Sequence, residues 1–133
     1  MEKTLTIIKP DAMRANVSIQ IIDILKNANL KMLASKKVIL TLPQVEEFYQ
    51  EHKGKPFFSA MTRFMCNSSV LVICWEGKNA ISLQRELIGA TNPQEAKKGT
   101  IRQLFGKNID NNAIHGSDSP QAAEREIKFF FSK

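Results

Sequence analysis

Ser69-Val70-Leu71-Val72-Ile73-Cys74-Trp75 is an uninterrupted apolar run closed by Glu76-Gly77, and its reading decides the fold. A strand with one wet face alternates between apolar and polar residues, whereas a continuous run needs cover on both faces. The segment therefore reads as a buried central strand.

Upstream, Phe57–Met65 is a helical stretch, set off from an earlier helix by Gly54 and Pro56. That earlier helix carries Val45, Phe48 and Tyr49 and opens at Thr41-Leu42-Pro43-Gln44, a capping-box signal with proline in the first turn. Leu30–Leu40 has strand-like composition. Val17, Ile21, Ile24, Leu25 and Ala28 recur at helical spacing behind Asn16 as an N-cap, which predicts a helix over Val17–Ala28. Thr4–Lys9 is a β-branched, alternating strand that halts at Pro10, followed by a turn through Asp11 and Ala12.

Downstream, Asn79–Ile88 reads as a helix, Gly89–Gly99 as a polar loop containing Pro93, and Thr100–Phe105 as a short helix. An asparagine-rich irregular stretch, Asn108–Asn112, leads to Ala113–His115, where Ile114 and His115 close a brief strand. Ser119-Pro120 caps a last helix carrying Ala122, Ala123, Ile127 and Phe130. This order predicts an α+β architecture in which an antiparallel sheet is covered by helices, the ferredoxin-like βαββαβ arrangement. No repeat or linker divides residues 1–133, so one domain is expected.

A chain of 133 residues can bury roughly two-thirds of its unfolded surface. With 43% hydrophobic and 24% charged residues it has the composition of a globular protein, not of a disordered or fibrous one. Its apolar runs fall far short of the ~20 residues that span a bilayer, and Met1–Lys9 lacks the apolar core of a signal peptide. A cytoplasmic protein is expected. Cys66 and Cys74 sit in apolar surroundings without metal-site spacing, which predicts buried, reduced thiols. The formal net charge of +6 implies attraction to anions, whether nucleic acid, a membrane surface or phosphorylated small molecules.

Of the two histidines, His115 lies among small and polar residues and is followed by a glycine that permits close backbone approach. Placed there it could act as base, ligand or nucleophile, or be a loop histidine without a role. A nucleophilic imidazole needs one nitrogen free and the other hydrogen-bonded, and Glu126 on the last helix is the candidate orienting carboxylate. His52 reads as a solvated or partly buried helix residue. With no third histidine and no cysteine cluster, a protein-ligated metal is not expected. Lys9 stands beside the turn after the first strand, Arg85 within the helix Asn79–Ile88 and Arg102 at the opening of a short helix, where they are either surface charges or phosphate grips. Neither a Walker-type nor a kinase-type glycine-rich loop is present, so any phosphate site must use side chains.

Four stretches together carry a resemblance. TLTIIKPD (Thr4–Asp11), the segment Tyr49–Phe58 ending in Lys-Pro-Phe-Phe, GATNPQEAKKGTIR (Gly89–Arg102) and NAIHGSDS (Asn112–Ser119) stand in the order and spacing of the nucleoside diphosphate kinase family. The chain resembles that family over essentially its whole length. The resemblance implies that His115 is a phosphohistidine nucleophile, with Glu126 holding its second nitrogen, Ser117 supporting it and Tyr49 helping to position the transferred group. It further implies that Lys9 contacts phosphates and sugar hydroxyl, Asn112 the sugar 3′-hydroxyl, and Arg85, Thr91 and Arg102 the β- and γ-phosphates. Phe57 and Ile109 would sandwich the base, giving broad base specificity because every base has a π-face. Mg²⁺ would arrive mainly on the nucleotide phosphates, transfer would be ping-pong, and the protein would be a homo-oligomer, a tetramer or hexamer built from dimers. Two departures stand out. Arg14-Ala15-Asn16-Val17 replaces a turn that often contains glycine in the family, and the C-terminus, ending Phe129–Lys133, is shorter than in many relatives, which bears on assembly.

Two other classes compete. Phe57, Phe58 and Phe64 near Lys53, Lys55 and Arg63 fit a single-strand nucleic-acid module. Their helical spacing favours core over platform, so no obligate nucleic-acid partner and no membrane partner is expected. A catalytically silent relative ranks last, since every expected active-site position is filled.

Overall fold

Alternation along the strands divides the protein into two apolar layers. The computed structural model describes residues 1–131; Ser132 and Lys133, the end of the C-terminal stretch expected to be short, lie outside the described residues. Strands β1 (Glu2–Ile8), β2 (Lys31–Val38), β3 (Val70–Gly77) and β4 (Ile114–Gly116) form one sheet in the order β2-β3-β1-β4. Every pairing is antiparallel. Helices α1 (Pro10–Arg14), α2 (Ser18–Lys26), α3 (Leu42–Phe48), α4 (Phe58–Met65), α5 (Ala80–Ile88), α6 (Ile101–Phe105) and α7 (Pro120–Phe131) complete the described fold. The expected α+β, ferredoxin-like arrangement is what the chain adopts.

Residues two apart on a strand share a face, and the register follows that rule. Leu5 and Ile7 of β1 pair with Cys74 and Val72 of β3. They pack with Val45 and Phe48 of α3, Met65 of α4 and Phe130 of α7. On the opposite face Ile8, Ile73 and Trp75 pack with Ile21 and Leu25 of α2, Ile88 of α5 and Ile101 of α6. The run at residues 69–75 is thus a central strand covered on both sides, although it continues through Gly77, where Glu2 of β1 still pairs with it.

Local signals account for several boundaries. Thr41 Oγ1 accepts from Gln44 N–H at 3.3 Å while Gln44 Oε1 accepts from Thr41 N–H at 2.8 Å, a complete capping box at α3. Thr100 caps α6 by accepting from Gln103 N–H. Contrary to the expectation from sequence, Asn16 does not cap α2. It takes a left-handed φ of 59° just after α1, and Val17 occupies the N-cap without a side-chain bond. Asparagine tolerates that region better than most residues, so it does here what a turn glycine would do. The expected turn at Asp11 and Ala12 is itself helical, as α1. Cys74 is buried, as expected, but Cys66 is only half-buried; both thiols are free.

A buried polar chain ties α5 to the sheet. Gln84 Nε2 donates to Thr4 Oγ1 at 3.0 Å and to Leu5 O at 3.2 Å. Its Oε1 accepts from Thr6 Oγ1, which in turn accepts from Trp75 Nε1 at 3.0 Å. Thr4, Thr6, Gln84 and Trp75 are fully buried, so each of these bonds replaces water that cannot reach the site. Gln84→Ala strands the Thr6 hydroxyl proton and opens a void, and is expected to cost about 2–4 kcal/mol in denaturant unfolding. A loss well under about 1 kcal/mol would mean that the threonine hydroxyls find other partners.

Candidate active site

His115 is the middle residue of β4, held by its pairing with Ile7 of β1. The strand is three residues long, yet bonds beyond both its ends reinforce it. Ser117 N–H donates to Leu5 O at 3.1 Å and Lys9 N–H to Ala113 O at 2.9 Å. The glycine after His115 serves close packing: a Cβ on Gly116 would lie 2.6 Å from Ile88 Cδ1 and 2.8 Å from Gln84 Nε2. Any side chain there would force the Ile88 and Gln84 side chains of α5 to shift.

The imidazole is oriented from one side. Its Nε2 lies 3.2 Å from Glu126 Oε1, and the same oxygen accepts from Ser117 Oγ at 2.7 Å. Ser117 Oγ accepts in turn from Leu5 N–H at 3.1 Å, so the chain of bonds ends on the sheet backbone. Burial by itself raises the Glu126 pKa; the hydrogen bonds from His115 and Ser117, with the charges of His115 and Arg125, outweigh it and hold the carboxyl below its ordinary value. An ionised carboxylate only accepts, so Nε2 carries the proton and Nδ1 is the nitrogen with a free lone pair. Phe48 and Tyr49 wall the ring edge-on, with centroids 5.5 and 6.0 Å away.

These groups open into a cleft of about 1080 Å³. Lys9, Arg85 and Arg102 line it, as do Thr91, Phe57 and Ile109. Lys9 Nζ donates to Asn112 Oδ1 at 2.8 Å, and Asn112 Nδ2 donates to Thr91 O at 3.0 Å, linking the end of β1 to the loops on either side. Burial and the Arg102 charge push the Lys9 pKa down to about 8. Burial and the Arg85 charge push Arg102 down to about 10, which leaves it charged at neutral pH. Arg102 spends its Nη atoms on Gly89 O and Ile114 O, at 3.2 and 2.8 Å, and its Nε is buried with no partner among the described residues. Burial and the Glu126 charge push the Tyr49 phenol well above its ordinary pKa, so it stays neutral. Phe57 is 44% exposed and Ile109 56% exposed.

Every sequence-predicted site residue is thereby brought to one cleft except Ser117, which stands behind it, buried under Glu126. Three further residues belong to this neighbourhood. His52, read as a solvated or partly buried helix residue, is partly buried and lines the cleft beside Tyr49 and Phe57. Arg125 lies 3.8 Å from Glu126, bonds Glu51 at 3.0 Å and donates to Phe48 O at 3.3 Å; its one sequence signal is adjacency to Glu126. Asp11 reaches Ala113 N–H at 3.1 Å. Phe58 and Phe64 pack against the core layer that holds Phe48, which removes two aromatics from the nucleic-acid reading.

Comparison with known proteins agrees with this geometry. The sequence profile of the nucleoside diphosphate kinase family matches residues 2–133. The chain is 51% identical to a nucleoside diphosphate kinase of Campylobacter lari, covering 100% of this chain and 97% of that one. It is 47% identical to one of Persephonella marina, covering 100% and 95%. Among solved structures, the Aquifex aeolicus enzyme superposes with a TM-score of 0.96 at 40% identity, over 98% of this chain and 95% of that one. A halophilic enzyme from Halobacterium salinarum, solved in complex with CDP, does so with a TM-score of 0.96 at 37% identity, over 99% and 88%. An oriented histidine in a cationic cleft, carried on a fold shared almost end to end with these enzymes, leaves one assignment: the chain belongs to the nucleoside diphosphate kinase family.

Proposed function

We propose that the protein transfers the γ-phosphate of a nucleoside triphosphate, typically ATP, to a nucleoside diphosphate through a phosphorylated His115, in one domain spanning residues 1–133. The observation that carries this reading is the fixed imidazole, with Nε2 committed to Glu126 at 3.2 Å and the ring set in a cleft lined by Lys9, Arg85 and Arg102. In the first half-reaction the Nδ1 lone pair forms the N–P bond to the γ-phosphorus while the bond to the β,γ-bridging oxygen breaks, and the diphosphate leaves with that electron pair. In the second, a β-phosphate oxygen of the incoming diphosphate attacks the same phosphorus and the N–P electrons return to Nδ1. The proton stays on Nε2 throughout, bonded to Glu126, which stabilises positive charge on the ring as the N–P bond forms.

The cations do the electrostatic part. Phosphoryl transfer depends mainly on positioning and on neutralising charge spread over the phosphoryl oxygens. Arg85, Arg102 and Thr91 are read as the grip on the β- and γ-phosphates, and the unpartnered Nε of Arg102 is one buried donor that an anion would satisfy. Lys9 and Asn112, already joined at 2.8 Å, are read as the contacts to sugar and phosphate. Tyr49 is a neutral wall beside the ring, and exposed Phe57 and Ile109 are the faces that take the base. Among the described residues no group of three or more His, Cys, Asp or Glu side chains could hold a metal. Mg²⁺ carried on the nucleotide's phosphates would supply further charge neutralisation beside the cations that line the cleft.

Among the described residues no helix is long and apolar enough to cross a membrane, and the free thiols of Cys66 and Cys74 suit the cytoplasm. The proposed assembly is a homo-oligomer, tetramer or hexamer, built from dimers. β2 stands at the sheet edge with Leu33 exposed by 40%, and Ile39 and Ile19 are exposed by 72% and 70%. An open edge that carries exposed Leu33 and is followed by exposed Ile39 favours self-association.

Three outcomes test the reading. Incubation with γ-labelled ATP should give an acid-labile, base-stable phosphoprotein that a diphosphate discharges, and His115→Ala should abolish it with circular dichroism unchanged; label retained in that variant removes the mechanism. The Lys9 pKa is lowered to about 8, so the ammonium is charged below that pH and neutral above it. kcat/KM, which reports the free enzyme, should fall as pH rises through about 8, and Lys9→Arg should shift or abolish that limb even if it lowers the plateau. Light scattering after size exclusion should find dimers or larger species at micromolar concentration, and a lone 15.0 kDa species would exclude the assembly.

A further inference from the structure

Ala113, two residues before His115, has φ 76°, a region where the Cβ of an L-residue crowds its own backbone. Ile114 N–H donates to Asn112 O at 2.9 Å across it, closing the strained, positive-φ form of the three-residue γ-turn. Nothing within the turn favours that form. Its surroundings must impose it.

One tripeptide holds both polar groups of Ala113. Lys9 N–H donates to Ala113 O at 2.9 Å, and Ala113 N–H donates to Asp11 Oδ2 at 3.1 Å. The first is a backbone bond that continues the β1–β4 pairing; the second is the clamp's only side-chain member. Asp11 does not cap its own helix, since α1 has Lys9 as N-cap and no side-chain capping bond. Its other oxygen, Oδ1, is buried without a partner among the described residues, so the carboxylate's hydrogen bonding is directed at Ala113. The peptide it grips joins Asn112, which is bonded to Lys9 Nζ, to the strand that carries His115.

We propose that Asp11 is a positioning residue for phosphoryl transfer, its carboxylate holding Ala113 in the strained turn that sets the angles of Asn112 and His115 in the cleft. This rests on reading His115 as the nucleophile. Asp11 touches no reacting atom. Without the clamp the turn relaxes toward ordinary alanine conformations and the imidazole loses its register with Glu126. Misplacing a reacting group by about 1 Å costs on the order of 10²-fold in rate.

The test compares Asp11→Ala, which removes the acceptor, with Asp11→Asn, which keeps a carbonyl oxygen in its place. Single-turnover phosphorylation of His115 by saturating MgATP, per folded molecule, should slow on the order of 10²-fold in Asp11→Ala, with most of the rate kept in Asp11→Asn. Ala113→Gly in the Asp11→Ala background should recover part of the loss, because glycine takes positive φ without a Cβ penalty. Imidazole ¹⁵N spectra should show His115 as one Nε2–H tautomer in the parent protein and in Asp11→Asn, and a tautomer mixture in Asp11→Ala. A helix-stabilising role alone would lower the unfolding midpoint and leave both readouts unchanged. An unchanged rate and spectrum in Asp11→Ala, or an equal loss in Asp11→Asn, overturns the clamp. If Asp11→Ala does not fold, Asp11→Ser, whose hydroxyl is too short to reach Ala113, replaces it: a slowed rate with mixed tautomers supports the clamp, and an unchanged rate and spectrum overturns it. If the parent protein forms no phosphohistidine, the functional reading falls, while the spectra still decide for or against the clamp.

Discussion

The site hangs on the antiparallel pairing of a three-residue strand with the first strand of the chain, Thr6 with Gly116, Ile7 with His115 and Ile8 with Ile114. β4 is too short to be stable alone, so its position is borrowed from β1, which is itself pinned along its whole length to β3. The borrowing is reinforced from both directions. Leu5 gives its N–H to Ser117 Oγ and its carbonyl to Ser117 N–H, while Lys9 gives its N–H to Ala113 O. One buried strand thereby fixes the histidine, the hydroxyl behind its carboxylate partner, and, through its continuation, the lysine at the far side of the cleft.

Electrostatics and burial are set against each other in this arrangement. Lys9 and Arg102 are both pushed toward their neutral forms by burial and by the repulsion of neighbouring cations. A cleft that holds unwilling cations gains more from an incoming polyphosphate than a solvated surface would, because part of their hydration has already been given up. Glu126 is treated in the opposite way. Burial disfavours its charge, yet bonds from His115 and Ser117 keep it ionised. On the proposed reading, the carboxylate that must stay negative accepts two hydrogen bonds on one oxygen, while Arg102 keeps a buried Nε with no partner among the described residues for an incoming anion.

Much of this was legible in the sequence because it is local. Thr41 and Gln44 are three residues apart and form the capping box their types imply; the apolar run at residues 69–75 suits a strand covered on both faces. His115, Lys9 and Arg102 could be singled out by type and by the turns beside them, Arg85 by type alone, and the family resemblance drew them to one site. The clamp at Ala113 was not legible, because its partner Asp11 lies 102 residues away. Alanine, moreover, gives no signal of positive φ as glycine would. Asn16 misled for a related reason: an asparagine before a periodic run reads equally as an N-cap or as a left-handed turn residue, and only packing of α1 against the sheet decides. His52 read as a solvated or partly buried helix residue and is partly buried, but local spacing gave no sign that the chain there tightens into a 3₁₀ turn that brings its ring beside Phe57.

On the proposed reading the two ends of the cleft obey different physics, and that difference allows one site to serve both half-reactions. At the phosphate end, recognition is rigid: two half-buried cations, a backbone-anchored histidine and a strained turn specify where phosphorus must sit. At the base end, Phe57 and Ile109 are exposed by 44% and 56%. They offer apolar faces, and a stacked face accepts any base. A donor and an acceptor differing only in base are therefore nearly equivalent ligands to the loose end and identical at the tight one. Such a site cannot bind both at once, since each needs the same faces and the same cations. It must then hold the phosphoryl group between visits, which is what a histidine with one committed nitrogen and one free one can do.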